Sequence, residues 1–394
     1  MTITLWDTNG AEIVKALGAE RRAAGALASG LALTLVVVTD ETNVAEAEAA
    51  ATTAAASHPC RVLVVVRRRL QAEDRLDAEV QVGGRLGANE AVVMRMYGRL
   101  TLHAESVVLP LLAPDAPVVT WWHEIPPDKL AFDPLGVLAQ RRVTDAAASE
   151  EPLKALRRRA RDYSPGDTDL AWTRATPWRA LLASAFDGGT PPPTSGEVQA
   201  VKGNPSAALV AGWLQARLGV RIRATESDGP GITAVEVRFE GGERLRIDRP
   251  DGRMATLSRT GRPDRQLPLR RRDLGDLIAE ELRRLDADQP YADALSAVTG
   301  EKGLNERDPM RAHVWKEPAG GITARSSARK ASASGPAAKK AASKKAASKK
   351  STEKSTAAKK TTAAKKSATQ KTTAKKSAAT KTAAKKTARA GRSS

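Results

Sequence analysis

The sequence is poor in the residues that usually fill or staple a core. Of its 394 residues only 3% are aromatic, namely seven Trp, three Tyr and three Phe. Core volume must therefore come mostly from Val, Leu and Ala. Cys60 is the single cysteine, which excludes an intrachain disulfide and a cysteine-based metal cluster. His58, His103, His123 and His313 are dispersed along the chain, so no metal site is expected. Apolar runs such as LVVV at 35–38 fall far short of a membrane span, and the opening MTITLWDTNG has neither the basic start nor the apolar run of a signal peptide. The chain also lacks a GxxxxGKS/T loop, a GxSxG elbow, an HExxH pair and an EF-hand loop. A cytoplasmic protein with no membrane partner is expected.

Charge is present in excess, but in one place. The chain has 64 Lys+Arg against 45 Asp+Glu, a net of +19. Residues 321–394 hold 22 of the basic side chains and one acid, Glu353, leaving 42 basic and 44 acidic side chains in residues 1–320. The basic balance thus describes an appendage on a nearly neutral body. From Pro336 onward the chain is almost entirely Ala, Lys, Ser and Thr, with lysines at about every fifth position. That spacing matches neither helix nor strand, and nothing apolar offsets the entropy of ordering, so a disordered tail is expected. Lys339, Lys340, Lys344, Lys345, Lys349, Lys350, Lys359, Lys360, Lys365 and Lys366 are its polyanion-binding candidates, with DNA as a possible partner.

The body reads as two layers. Residues 33–41 and 61–66 are short β-branched runs separated by an Ala- and Glu-rich segment, the spacing of a βαβ unit with a parallel sheet buried on both faces. Strands are also expected at 76–82, 91–97 and 117–122. Residues 164–179 read as turn-rich, and GGTPPPTSG near 188–196 as a linker or exposed loop. Asn204–Pro205 reads as an N-cap followed by Pro at the first helical position, and Gly219 as the stop. Strands at 220–225, 232–239, 243–248 and 253–258, separated by GPG, EGG and PDG, suggest an antiparallel meander. Leu274, Leu277, Ile278, Leu282 and Leu285 form a helical stripe suited to cover that sheet. The expected fold class is an α/β N-terminal domain with a mostly parallel sheet over 1–187, a linker at 188–203, an α+β C-terminal domain over 204–300, and a disordered basic tail over 301–394.

Few residues suggest chemistry. Gly83, Gly84 and Gly87 follow a strand without the GxGxxG spacing, which favours a turn over a phosphate cradle. His123–Glu124, beside Trp121 and Trp122, is either an acid/base pair at a strand's carboxyl end or part of an aromatic cluster. Cys60 next to Arg61 is either a reactive thiolate or an inert, partly buried thiol. Trp172, Arg174, Trp178 and Arg179 combine the residue types favoured as interface anchors, although packing explains them equally well.

Taken in order, LWDT at 5–8, ALTLVVVTDE at 32–41, HPCRVLVVVRR at 58–68, LDAEVQVGG at 76–84 and PDAPVVTWW at 114–122 resemble one family. DPLGVLAQRRVTDAA at 133–147, YSPGDTDLAWTRATPWRALLA at 163–183, NPSAALVAGWLQARLGV at 204–220, GPGIT at 229–233 and RPDGRMATLS at 249–258 continue the match. It is similar to the glucose-6-phosphate dehydrogenase assembly proteins of the OpcA type, in their actinobacterial form. That resemblance implies a non-catalytic protein without a cofactor, which partners glucose-6-phosphate dehydrogenase and promotes its active oligomer. Residue type and position in the matched segments give Trp121, Trp122, His123, Asp169, Trp172, Arg174 and Trp178 as partner-contact candidates. Thiol-based control, associated with cyanobacterial relatives, is not expected within a chain that has Cys60 alone. The competing readings are a nucleic-acid-associated protein acting through the tail, and an enzyme using the α/β layer to hold a nucleotide.

Overall fold

The computed structural model describes residues 2–23, 31–83, 90–187 and 189–309. Its first sheet contains β1 (Thr2–Leu5), β2 (Leu33–Thr39), β3 (Cys60–Arg67), β4 (Arg75–Val82), β5 (Glu90–Tyr97), β6 (Val118–Trp122), β7 (Arg141–Thr144) and β8 (Asp167–Asp169). The connections carry α1 (Gly10–Ala23), α2 (Val44–Ser57), α3 (Ala104–Val108), α4 (Pro134–Leu138) and α5 (Pro152–Asp162). Across the sheet the order is β1-β4-β5-β3-β2-β6-β7-β8. The six strands from β5 to β8 run parallel, β4 joins β5 antiparallel, and β1 joins β4 antiparallel.

The continuous apolar runs supply both faces of this sheet, because successive side chains point opposite ways. Val36, Val38, Leu63, Val65 and Trp122 pack on one face with Ile13, Leu17 and Val108. Leu35, Val37, Val62, Val64 and Trp121 pack on the other against Ala47, Ala50, Ala51 and Ala54 of α2. Both strands are thus buried along their length, as the β-branched runs predict.

Beyond β8 come α6 (Leu170–Arg174), α7 (Thr176–Phe186), β9 (Pro193–Ala200), α8 (Pro205–Leu218), β10 (Ile222–Glu226), β11 (Ile232–Phe239), β12 (Arg244–Asp248), β13 (Met254–Arg259), β14 (Arg262–Pro268), α9 (Leu274–Glu281) and α10 (Gln289–Thr299). The second sheet has the order β10-β9-β11-β12-β13-β14, antiparallel except for the β9–β10 pair. Trp178 and Leu182 of α7 and Ala207, Val210 and Leu214 of α8 cover one face. The cap of α8 forms as expected: the Asn204 side chain accepts from the Ala207 N–H at 2.9 Å, and Gly219 closes the helix at φ +69°.

Three expectations are corrected. Residues 193–200, within the expected linker, form β9 between β10 and β11, with Gly196, Val198 and Ala200 turned inward. The three prolines hide this strand because they interrupt only its start, where a lost backbone donor is tolerated. Residues 164–179 hold β8, α6 and the beginning of α7 rather than turns alone. The stripe of α9 does not cover the second sheet: Leu277, Ile278, Ala279 and Leu282 join the core of the first, over α2. The α-carbon of Gly275 comes so close to α2 that a Cβ there would lie 2.5 Å from Thr53 Cβ. Residues Met1–Ala319 accordingly group as one compact unit.

Candidate functional site

The parallel strands β5-β3-β2-β6-β7-β8 follow the order 3-2-1-4-5-6 of the doubly wound fold. In such sheets ligands enter at the carboxyl ends of the strands where the order reverses, here between β2 and β6. The segment after β2 carries Asp40, Glu41 and Asn43, and Glu46 lies in the first turn of α2. Asp40 accepts from the Asn43 backbone N–H at 2.9 Å and from its side-chain amide at 3.1 Å. The N–H of Asn43, the residue that precedes the first turn of α2, is therefore bonded to a carboxylate. The 31–57 segment also has no glycine to let a pyrophosphate approach the backbone.

From β6, His123 and Glu124 point to different neighbours. His123 stacks on Trp121 with centroids 5.0 Å apart, and its Nε2 lies 3.6 Å from Glu46. Glu124 lies 3.5 Å from Arg67, which also reaches Asp133 at 3.7 Å. Burial raises the Glu124 carboxyl above its ordinary range, with Arg67 opposing and Asp40 and Asp133 assisting. The structure does not join His123 and Glu124 into an acid/base pair. Four carboxylates, Asp40, Glu41, Glu46 and Glu124, surround the crevice, and Arg67 beside Glu124 and Arg68 beside Glu41 face two of them. A cavity of about 150 Å³ under α2 is also acidic, lined by Glu48 and Glu79 beside Thr52 and Gln81.

Most of the aromatic candidates are interior. Trp121 and Trp122 are each 1% exposed and sit on opposite faces of the sheet. Trp172, buried among α5, α8 and α10, donates its indole N–H to Asp288 at 2.9 Å and lies under the Arg179 guanidinium, 3.5 Å from its ring centroid. Trp178 lies under Arg249, which donates to the carbonyls of Leu269 and Ile232. Asp169 is fully buried, accepts from Thr144 Oγ1 at 2.7 Å and caps α6 through the Ala171 N–H at 2.9 Å. Burial first, and then the Asp145 charge, push its pKa up to about 6. Five candidates, Trp121, Trp122, Asp169, Trp172 and Trp178, thus have no surface to give a partner: they are packing and capping residues. Arg174 retains 29% side-chain exposure while gripping Asp145 with two bonds of 2.6 Å.

Cys60 is buried at the start of β3, and desolvation pushes its thiol up to about 12. Arg61 does not lower it, because Arg61 is directed to Glu90 at 2.8 Å. Of the two readings, the inert thiol stands. Sequence spacing also missed the buried Arg141–Glu281 pair (2.5 Å), which ties β7 to α9 across 140 positions. No local signal marks such a pair. Among the described residues no group of three or more His, Cys, Asp or Glu is placed to hold a metal, and no helix is long and apolar enough to cross a membrane. His313 and the ten tail lysines lie outside the described residues.

Two family models match the chain. The glucose-6-phosphate dehydrogenase subunit N-terminal domain matches residues 51–161, and the C-terminal domain of the same subunit matches residues 165–295. The OxPP cycle protein OpcA of Synechocystis sp. is 27% identical over 192 residues, covering 44% of this chain. The match spans 40% of that relative's length. An NAD-binding oxidoreductase from Klebsiella pneumoniae has a TM-score of 0.36 at 12% identity, over 70% of this chain and 98% of that one. An oxidoreductase from Sinorhizobium meliloti has a TM-score of 0.32 at 10% identity, over 68% of this chain and 86% of that one. Likeness of that degree carries no functional argument. The two domain models, adjacent and in order across both layers of the fold, place the chain in the OpcA family of glucose-6-phosphate dehydrogenase assembly proteins.

Proposed function

We propose that this chain is a non-catalytic partner of glucose-6-phosphate dehydrogenase that promotes the enzyme's active oligomer in the oxidative pentose phosphate pathway. The observation that carries the reading is the match of both family domains over residues 51–295 with little interruption. The geometry of the doubly wound sheet supports it. The segment 31–57 at the crevice where such a sheet would bind a dinucleotide carries no glycine, and Asp40, Glu41 and Glu46 stand along it. A chain built this way acts through contacts with the enzyme rather than through a bound nucleotide of its own.

The mechanism is mass action. A partner that binds only the active oligomer draws assembly toward it, by about 2.7 kcal/mol when its concentration is 100 times its Kd. That corresponds to an apparent assembly constant roughly 100-fold larger. The experiment is a titration of the same organism's dehydrogenase with the full chain, following initial rate at fixed substrate. The expected result is a saturable rise in rate, largest at low enzyme concentration where the oligomer is least populated. A rate independent of added chain at every enzyme concentration contradicts the reading.

A further inference from the structure

The carboxyl edge of the first sheet carries a second feature, running from β1 toward β2. Trp6, directly after β1, is 69% exposed. A lone exposed Trp needs no explanation, but this ring is held in place. The Arg75 guanidinium lies 5.9 Å from the Trp6 ring centroid and 5.6 Å from that of Tyr97, and Arg68 lies 5.5 Å from the Tyr97 centroid. Arg68 continues to Glu41 at 3.3 Å, and Arg75 to Asp77 at 2.8 Å. The result is an alternating row of rings and guanidinium groups across the ends of β1, β4, β5 and β3.

The backbone that presents Trp6 is tied down. Asp7 has φ +48°, an uncommon conformation for a residue with a side chain. Its N–H donates to Asp77 Oδ1 at 3.0 Å, and the Thr8 N–H donates to the Leu76 carbonyl at 2.8 Å. Asp77 is itself 3% exposed. Backbone conformations of this cost persist where the surroundings enforce them, and they gather at functional positions.

We infer that this row, centred on Trp6, Arg75 and Tyr97, is the surface that docks on the dehydrogenase; the inference rests on the function proposed above. Trp, Tyr and Arg are the residue types that dominate binding energy at protein interfaces. Here their side chains are already ordered by stacking, which lowers the entropy lost on association. The charges are balanced within the row: Arg68, Arg75 and Arg95 face Glu41, Asp77 and Glu79. Little net field is left for a phosphate or a polyanion, whereas exposed ring and guanidinium faces suit the mixed surface of a folded protein. From the end of β1 to the end of β2 the row crosses four strand spacings, about 19 Å. That fits the centre of a standard interface, which buries about 800 Å² on each partner.

The test compares the full-length chain with Trp6→Ala, Trp6→Phe and, as a control on the second sheet, Met254→Ala, which is also exposed (44%). Binding to the dehydrogenase is measured directly by calorimetry, and the stimulation of activity separately. Trp6→Ala is expected to weaken binding roughly 30-fold or more, the factor that corresponds to an interface hot spot. Trp6→Phe retains most of the affinity, Met254→Ala all of it, and the thermal midpoint of each variant stays within a degree or two of the parent. Equal binding by Trp6→Ala and the parent overturns the docking surface while leaving the proposed function intact. A parent chain that binds through Trp6 without stimulating the enzyme overturns the proposed function and upholds the surface. A parent that does not bind overturns both.

Discussion

Trp121, Trp122 and Trp172 have the residue type of interface anchors and the burial of core residues, and burial decides what they do. Truncating any of them to Ala removes a large side chain from a closed site and should cost about 3–5 kcal/mol, read as a lower urea midpoint at unchanged m. The same change at Trp6 should cost little, because that ring already meets solvent. Cys60 gives a second residue-scale prediction. With its thiol pushed up to about 12 by burial, modification by a thiol reagent at pH 8 should be at least 100-fold slower in the folded chain than in urea. A third concerns pH. Burial pushes the Asp162 carboxyl up to about 6, and Asp169 titrates near the same value. From about pH 4, where unfolded carboxyls release their protons, to about 6, the folded chain keeps protons that the unfolded chain has lost. Stability carried by these groups therefore falls as pH rises through that window. Carboxylates with depressed values, such as Glu90 and Glu236, act below it. Asp162→Asn keeps an acceptor for the Leu130 N–H (2.8 Å in the parent) and should flatten the dependence between pH 4.5 and 6.5 in urea titrations. At this scale the sequence showed which residues stand out, but not where they sit. Exposure depends on elements that meet across long separations, as when Asp288 receives the Trp172 indole N–H.

At the scale of elements, continuous apolar runs were the most legible feature. β2 and β3 need both faces covered, so a parallel arrangement follows from composition alone. β9 was hidden because two of its three inward positions, Gly196 and Ala200, carry little or no apolar side chain, and because the proline run 191–193 overlaps its start. The stripe on α9 was legible and its destination was not. A helix periodicity reports which face is buried, never against which sheet. The destination rests on the Ala-rich face of α2, which lets α9 come close at Gly275. Gly275→Leu should therefore cost at least about 1–3 kcal/mol through overpacking, measured by thermal or urea unfolding. An unchanged midpoint would mean that α9 does not rest on α2.

For the whole molecule, the two family domains and the two sheets fold as one unit, because α9 returns from the second half to close the core of the first. The Arg141–Glu281 pair adds a buried tie between them. Residues 1–187 expressed alone lose that cover, leaving Val37, Val64 and Trp121 with α2 and Leu170 only; this fragment should lack a cooperative transition that the full chain shows. The acidic switch point belongs to this scale too. The doubly wound sheet has no glycine-rich turn after β2, where Asp40, Glu41 and Glu46 stand instead. The chain therefore has the strand order of a dinucleotide-binding sheet without the glycines of its first βα turn.

Whether this chain promotes the active oligomer of the dehydrogenase is read by sedimentation velocity. The dehydrogenase is run alone and with the full chain, near the concentration where its subunits half dissociate, with activity recorded on the same samples. Added chain is expected to move the enzyme into a larger species containing both proteins. The enzyme concentration needed for half assembly should fall by up to roughly 100-fold at saturating chain, and activity should follow the larger species. Two non-interacting boundaries, or a joint species whose formation leaves the enzyme's assembly state and activity unchanged, would contradict it.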